Sequence, residues 1–339
     1  MDENELMPRD PVVPDLRAAR KTFSIAGWGV FVILALGSLL QIGCVALISA
    51  SAPELMQRPW GLWVFTFAPL YLIAFPIGIL ILRSRPRFEG EGDRMRGGMF
   101  LRALLICFFM MYAGNIIGNV VNSLLQAFAG VPAGNPLMTY ATDDSLAWKI
   151  LVMVVLAPIL EELVFRKILI DRLRGYGEKW ALFVTALIFG LFHGNLSQFF
   201  YAFGLGLVFG YVYLRTRRLR WSAILHMTVN FLGSVLAPAL LAGSNMSAVA
   251  QADLSDPSAA AALFTPGYVA FLLYSVCMIA MGIAGLVLLI LRARKLRFDP
   301  APAELPKGSR FSVSFLNAGM LLFILACLAL MVYAAVQVS

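Results

Sequence analysis

Charge is scarce in this chain. Only 14% of its 339 residues are Asp, Glu, Lys or Arg, against roughly 25% in soluble domains, and the mean hydropathy is +0.81. That balance excludes an ordinary soluble globular protein. Ten-residue stretches of alternating polarity are missing as well, which argues against a transmembrane barrel. Cysteine is limited to Cys44, Cys107, Cys277 and Cys327. All four fall inside apolar runs and none has CxxC spacing, so they read as small packing residues rather than disulfides or metal ligands. The HExxH signature of zinc peptidases is absent. Histidine occurs only twice, as His193 and His226.

What fills the chain instead is apolar sequence, in runs of about 20 residues, each long enough to cross roughly 30 Å of hydrocarbon as a helix. Candidate spans lie near 23–50, 60–82, 98–128, 147–170, 180–194, 197–214, 221–242, 267–291 and 312–337. Ala50-Ser51-Ala52 resembles a signal cleavage site, but the preceding run is much longer than an h-region, so a retained first helix is expected. The net charge of +8 does not point to nucleic acid, because no soluble basic domain exists to bind it. The basic residues cluster at the ends of the apolar runs. With nine spans and a cytoplasmic N-terminus, all 27 except Arg58 and Lys149 fall on the cytoplasmic side, as the positive-inside rule requires. The predicted fold class is therefore all-α: a polytopic transmembrane helical bundle of about nine spans, with the lipid bilayer as its surroundings.

The expected organisation is a disordered cytoplasmic tail over 1–22, three N-terminal spans over 23–144, four spans over 145–242, a mobile non-cytoplasmic loop over 243–266 and two C-terminal spans over 267–339. The fifth and sixth spans are short. Only 35 residues separate Lys179 from Arg215, or about 52 Å of helix, too long for one crossing and short for two. A pair turning near Gly194-Asn195, partly within the membrane, is expected, and irregular backbone at that depth needs protein or a polar cavity around it. In "AGNIIGNVVN" (113–122), Gly114/Gly118 and Asn115/Asn119/Asn122 recur at helical spacing. They read as close helix packing joined by amides, or as the polar wall of a cavity.

The stretch "APILEELVFRK" (157–167) puts two glutamates and an arginine inside an apolar run. Glu162 and Arg166 are i, i+4 neighbours and can pair. Glu161 points about 100° away and needs another partner. An ionisable group at such depth is a functional-site candidate, with an ion-paired helix clamp as the structural alternative. Measured along their helices from the nearest basic end, Glu161 and His193 lie about 20 Å deep, and His226 and Asn230 about 9 and 15 Å. These groups occupy one slab if their helices adjoin. Two chemistries suit them. Either Glu161 is a general base that takes a proton from water, with a histidine and Asn230 donating to the oxyanion. Or His193, His226 and Glu161 hold a zinc ion that acidifies the water.

"EELVFR" fits an EExxxR motif, "FGLFH" fits FxxxH and "HMTVN" fits HxxxN. In order and spacing they resemble the CAAX-protease and bacteriocin-processing family of intramembrane endopeptidases, related to the type II prenyl-protein protease. "AP" before "ILEE" and "SAIL" before His226 also look like that family. The resemblance covers about residues 145–240. Lys167 departs from the glycine that often follows the motif arginine. The resemblance implies that Glu161 activates water with help from His193, that His226 and Asn230 stabilise the tetrahedral intermediate, and that Glu162 and Arg166 orient the site. It implies a peptide or protein substrate, lipidated in eukaryotic relatives, and a bacterial cytoplasmic membrane as the location. A metal-independent, glutamate-dependent reaction is favoured, with zinc as the other option. A proton-coupled transporter or a non-catalytic adaptor of the same fold are the competing expectations. Internal symmetry between halves, common in carriers, is not evident.

Overall fold

A computed structural model describes residues 14–129, 145–244 and 264–336. Among them are nine helical rods: α1 Leu16–Ser51, α2 Gly61–Arg83, α3 Gly97–Ala129, α4 146–173, α5 Glu178–Phe192, α6 Leu196–Thr216, α7 Leu219–Gly243, α8 Pro266–Arg292 and α9 Ala318–Val336. The predicted all-α bundle is the observed class. Six of the rods (α1, α2, α3, α6, α7 and α8) are long and apolar enough to cross a membrane. The others fall short for different reasons. α4 carries the acidic pair, α5 is 15 residues or about 22 Å long, and α9 is a shorter apolar helix.

Two boundaries differ from expectation. Helix α1 takes in the last seven residues of the expected tail, starting at Leu16 rather than 23, and the rest of that tail lies largely outside the described residues. Asp15 is an N-cap: its Oδ1 accepts from the amides of Arg17 and Ala18 at 2.8 and 3.1 Å, two of the N–H groups a helix start leaves open. The ninth span is also not continuous. It is broken at Leu316-Asn317, between a short turn Arg310–Phe315 and α9. Asn317 closes both pieces, donating to the Val313 and Ser314 carbonyls and accepting from the Met320 amide. The expected loop 243–266 lies largely outside the described residues.

Among the described residues, four stretches have widened turns with π-type hydrogen bonding: 70–74, 150–156, 163–170 and 231–236. Three of them end two residues before a proline, Pro76, Pro158 and Pro238. A proline lacks the N–H for the helical ladder and its ring crowds the carbonyl four residues back, so the preceding turn opens. The fourth, 163–170, has no proline behind it. It directly follows Glu161-Glu162, and such bulges recur at functional sites.

α6 is the most enclosed long helix, with half of its apolar window buried against 17–22% in the others. It packs between α3 and α5. A Cβ at Gly114 would strike the backbone of Tyr201, and one at Gly118 would press on the Ser197 carbonyl. Asn122 Nδ2 donates to Ser197 Oγ at 2.8 Å. Gly114, Gly118 and Asn122 thus form a packing seam with α6, while Asn115 and Asn119 are exposed. The α5–α6 turn falls where predicted. Gly194 takes a left-handed φ of 62°, which suits glycine, and Asn195 caps α6 through the Gln198 amide at 2.9 Å.

At the basic end the connecting loops are strapped to the core. Phe88 and Asp93 donate their amides to the carbonyls of Asp171 and Arg215, both at 2.7 Å. Ala303 and Leu305 donate to Gly175 and Tyr176. Arg217 ends α6 in a left-handed conformation and pairs with the buried Glu178, whose other oxygen accepts from the Asp299 amide at 2.8 Å. These straps fix α4, α5 and α6 relative to one another, and so hold the groups described next.

Candidate active site

The regular segment Ala157–Glu162 sits between two widened turns of α4 and presents both glutamates to α7. Glu162 is fully buried, as is Arg166. Its Oε2 lies 3.1 Å from Arg166 Nε, the pair expected from the i, i+4 spacing. The Nε–H is not aimed along that line, and the two Nη atoms have no hydrogen-bond partner among the described residues. The guanidinium is held instead between aromatic faces, with Cζ 4.6 Å from the Phe189 ring centre and 5.8 Å from that of Phe209, a favourable cation–π geometry.

The other oxygen of Glu162 faces His226 Nδ1 at 3.2 Å. A carboxylate only accepts, so Nδ1 carries the proton. The opposite nitrogen, Nε2, lies 3.9 Å from Glu161 Oε2. That is beyond direct hydrogen bonding and within reach of a bridging atom. The two glutamates differ in access: the Glu161 side chain is 18% exposed and the Glu162 side chain 0%. One carboxyl is sealed into an ion pair, and its neighbour, beside the same imidazole, is partly exposed.

Phe189 and Phe209 order the rings. His226 stacks on Phe209, centroids 4.8 Å apart and planes 26° from parallel, and meets Phe189 edge-on at 5.9 Å. His193 meets Phe189 edge-on at 5.0 Å. The two imidazoles therefore share one phenyl ring. His193 is the C-terminal cap of α5, and its Nδ1 donates to the Phe189 carbonyl at 2.8 Å, which leaves Nε2 as the atom with a free lone pair. Asn230, one turn beyond His226 on α7, donates from Nδ2 to the Met153 carbonyl at 2.8 Å. That bond ties α7 to the first widened turn of α4. The amide nitrogen has a second hydrogen to offer.

The structure thus brings Glu161, Glu162, Arg166 and His226 into one cluster, with His193 across Phe189 and Asn230 anchored beside it. Sequence reasoning missed the aromatic residues. Phe189 stands in the FxxxH motif but drew no attention. Phe209, on α6, had no signal beyond being one of 25 phenylalanines. Tyr71 of α2 and Tyr201 of α6 lie close enough to feel the charge of Glu161, and neither is marked by any motif.

Metal binding can be tested on the donors. Both imidazoles have Nδ1 engaged and Nε2 uncommitted, the usual disposition of metal-ligating histidines. Yet among the described residues no group of three His, Cys, Asp or Glu side chains is placed to hold an ion. The arrangement does not fit a three-ligand zinc site.

Fold and site together define a membrane-embedded protein with a carboxylate–imidazole centre between helices. Residues 143–232, a segment that contains α4, α5, α6 and the start of α7, match the family described as type II CAAX prenyl endopeptidase Rce1-like. The chain is also 28% identical over 185 residues to the protein described as "Putative membrane peptidase YdiL" of Bacillus subtilis (strain 168), covering 52% of this chain and 72% of that protein. No solved structure matches the chain.

Proposed function

We propose that the chain is an intramembrane endopeptidase in which Glu161 is the general base. The observation that carries this is the unequal environment of the adjacent glutamates: Glu162 is closed off by Arg166 and His226, while Glu161 is open and faces the same imidazole. Glu161 removes a proton from water, and the hydroxide oxygen attacks the carbonyl carbon of a peptide bond. The carbonyl electron pair moves onto oxygen. The spare N–H of Asn230, and His226 Nε2 when that ring carries a second proton beside the one on Nδ1, are the donors for that oxyanion, and donors preset for such charge typically contribute 10²–10³-fold. The pair then returns to re-form the carbonyl. The C–N bond breaks, and Glu161 passes its proton to the leaving amine.

His193, through its free Nε2, assists in orienting the water. Glu162 holds the Nδ1 proton of His226 and so fixes which nitrogen faces the reaction, as a carboxylate does for the imidazole of other hydrolytic sites. Arg166 neutralises Glu162 and keeps the assembly from repelling Glu161. The substrate is a peptide or protein reaching the site from the bilayer or from the basic face. The match of residues 143–232 to a prenyl endopeptidase family supports lipidated proteins among the substrates, and the similarity to a Bacillus subtilis protein supports a bacterial cytoplasmic membrane as the setting.

The test is mass spectrometry of membrane peptides from cells carrying wild type or Glu161→Gln at equal membrane abundance. A set of cleaved termini present with wild type and missing with the variant is expected. Identical termini in both would contradict the proposal, and flux across proteoliposomes that depends on Glu161 would replace it with a carrier.

A further inference from the structure

A cavity lies away from the acidic pair, at the basic end of the bundle between α3, α6 and α8. It encloses about 520 Å³, within the usual range of ligand sites. Its wall is apolar, formed by Ile106 and Met110 of α3, Leu207 and Val208 of α6 and Leu289 of α8. Its mouth carries Arg102, Arg215, Arg292, Lys295 and Arg297, with Asp93 the acid in the lining.

The charges at the mouth do not balance. Asp93 is taken by Arg215 at 2.7 Å, and Asp299 holds the same guanidinium at 3.1 Å. Arg102, Arg292, Lys295 and Arg297 have no ion pair among the described residues. Four uncompensated cations over an apolar slot focus a positive potential on its entrance. The slot also has the depth of a bilayer leaflet's upper half: from Arg102 to Met110 is eight residues, about 12 Å of helix. Basic pockets between membrane helices at this level suit anionic headgroups. A free phosphate would satisfy the cations but not the apolar wall, and a zwitterionic headgroup would bring its own ammonium into the ring of cations.

We propose that this cavity is a binding site for an anionic phospholipid. Arg102, Arg292, Lys295 and Arg297 hold the phosphate-bearing headgroup, and an acyl chain lies in the slot between α3, α6 and α8. The site is separate from the acidic pair. Val208 lines the slot, while the next residue, Phe209, turns the other way onto His226 and Arg166. A lipid seated there braces the helix that carries Phe209.

The test is native mass spectrometry of the full chain in neutral detergent, offered phosphatidylglycerol and phosphatidylethanolamine in equal amounts. Wild type is expected to retain phosphatidylglycerol roughly tenfold or more over phosphatidylethanolamine. The variant Arg102→Gln/Arg292→Gln/Lys295→Gln should lose that preference. Val208→Trp, which fills the slot and leaves the cations, should lose the bound lipid. The control Arg17→Gln/Arg20→Gln/Lys21→Gln, at the start of α1, should behave as wild type. The substituted cations are exposed or half-buried and lie outside the core, so folding is not at stake in the two triple variants. Equal retention of the two lipids by wild type would overturn the proposal. So would equal loss in both triple variants, or retention of phosphatidylglycerol by Val208→Trp.

Discussion

His226 stands between two carboxylates, with Nδ1 3.2 Å from Glu162 Oε1 and Nε2 3.9 Å from Glu161 Oε2. One imidazole thus couples a sealed acid to an open one. The adjacent glutamates therefore have different jobs, and the difference is measurable.

Removing Glu162 leaves Arg166 as an uncompensated buried charge. Breaking such a pair costs about 3–5 kcal/mol. Glu162→Ala is expected to lower stability by that order in detergent melts, whereas Glu161→Gln should change it by less than about 1 kcal/mol, because the Glu161 side chain is partly open and has no close ion pair. Equal destabilisation by the two would mean that both acids are scaffolding.

Arg166 is held by its planar faces as much as by its charge. Lysine keeps the charge and loses the flat guanidinium that fits between Phe189 and Phe209. Arg166→Lys is expected to reduce both stability and activity, and a variant indistinguishable from wild type in melting and turnover would show that the aromatic sandwich has no role.

Phe209 has no reacting atom, yet it stacks on His226 and covers Arg166. Phe209→Ala should cost about 3–5 kcal/mol as a buried aromatic truncation. Phe209→Leu keeps most of the volume and removes the stacking face. It should fold, and turnover should fall with little change in KM. A lowered melting temperature with wild-type turnover in the leucine variant would limit Phe209 to packing.

Asn230 separates a structural from a catalytic contribution by magnitude. Its bond to the Met153 carbonyl is a single hydrogen bond, contributing about 0.5–1.5 kcal/mol to stability. A donor to an oxyanion contributes 10²–10³-fold to kcat. Asn230→Ala is expected to show a small melting shift and a large loss of kcat. A kcat change no larger than the stability change would remove it from the oxyanion site.

At the basic end, Arg215 beside Asp93 holds that carboxyl below its ordinary range. A depressed carboxylate stabilises the fold at pH above its unfolded value and loses that contribution as pH falls through the folded value. The pair is half open to solvent, with Asp93 59% exposed, so screening limits it to about 0–1 kcal/mol. Asp93→Asn should lower melting slightly at neutral pH and leave no difference well below the ordinary aspartate range. A difference that persists in acid would show that the pair is not its source.

Much of this was legible in the sequence, because a bilayer makes polarity informative. Hydrocarbon tolerates Glu161, Glu162, His193 and His226 only for a reason, and helical spacing alone pairs Glu162 with Arg166. The α5–α6 turn was legible because 35 residues cannot be divided otherwise. What the sequence hid is what an apolar chain has in abundance. Phe209 and Tyr71 look like every other apolar or aromatic residue in their runs, and only the packing of α2 and α6 against α4 brings them to the site. The start of α1 was missed because basic residues at a helix end were read as tail, although Asp15 marks the cap. The break at Asn317 depends on three local hydrogen bonds that hydropathy does not register.

The central claim is that Glu161 delivers water to a peptide bond, and the most direct measurement follows the water oxygen. The purified chain is incubated with a cleaved membrane peptide in H₂¹⁸O, and the new C-terminus is weighed. Wild type should place one ¹⁸O in that carboxyl, and Glu161→Gln, folded to the same melting temperature, should yield no product. Cleavage with ¹⁸O incorporation by Glu161→Gln at the wild-type rate would contradict the assignment.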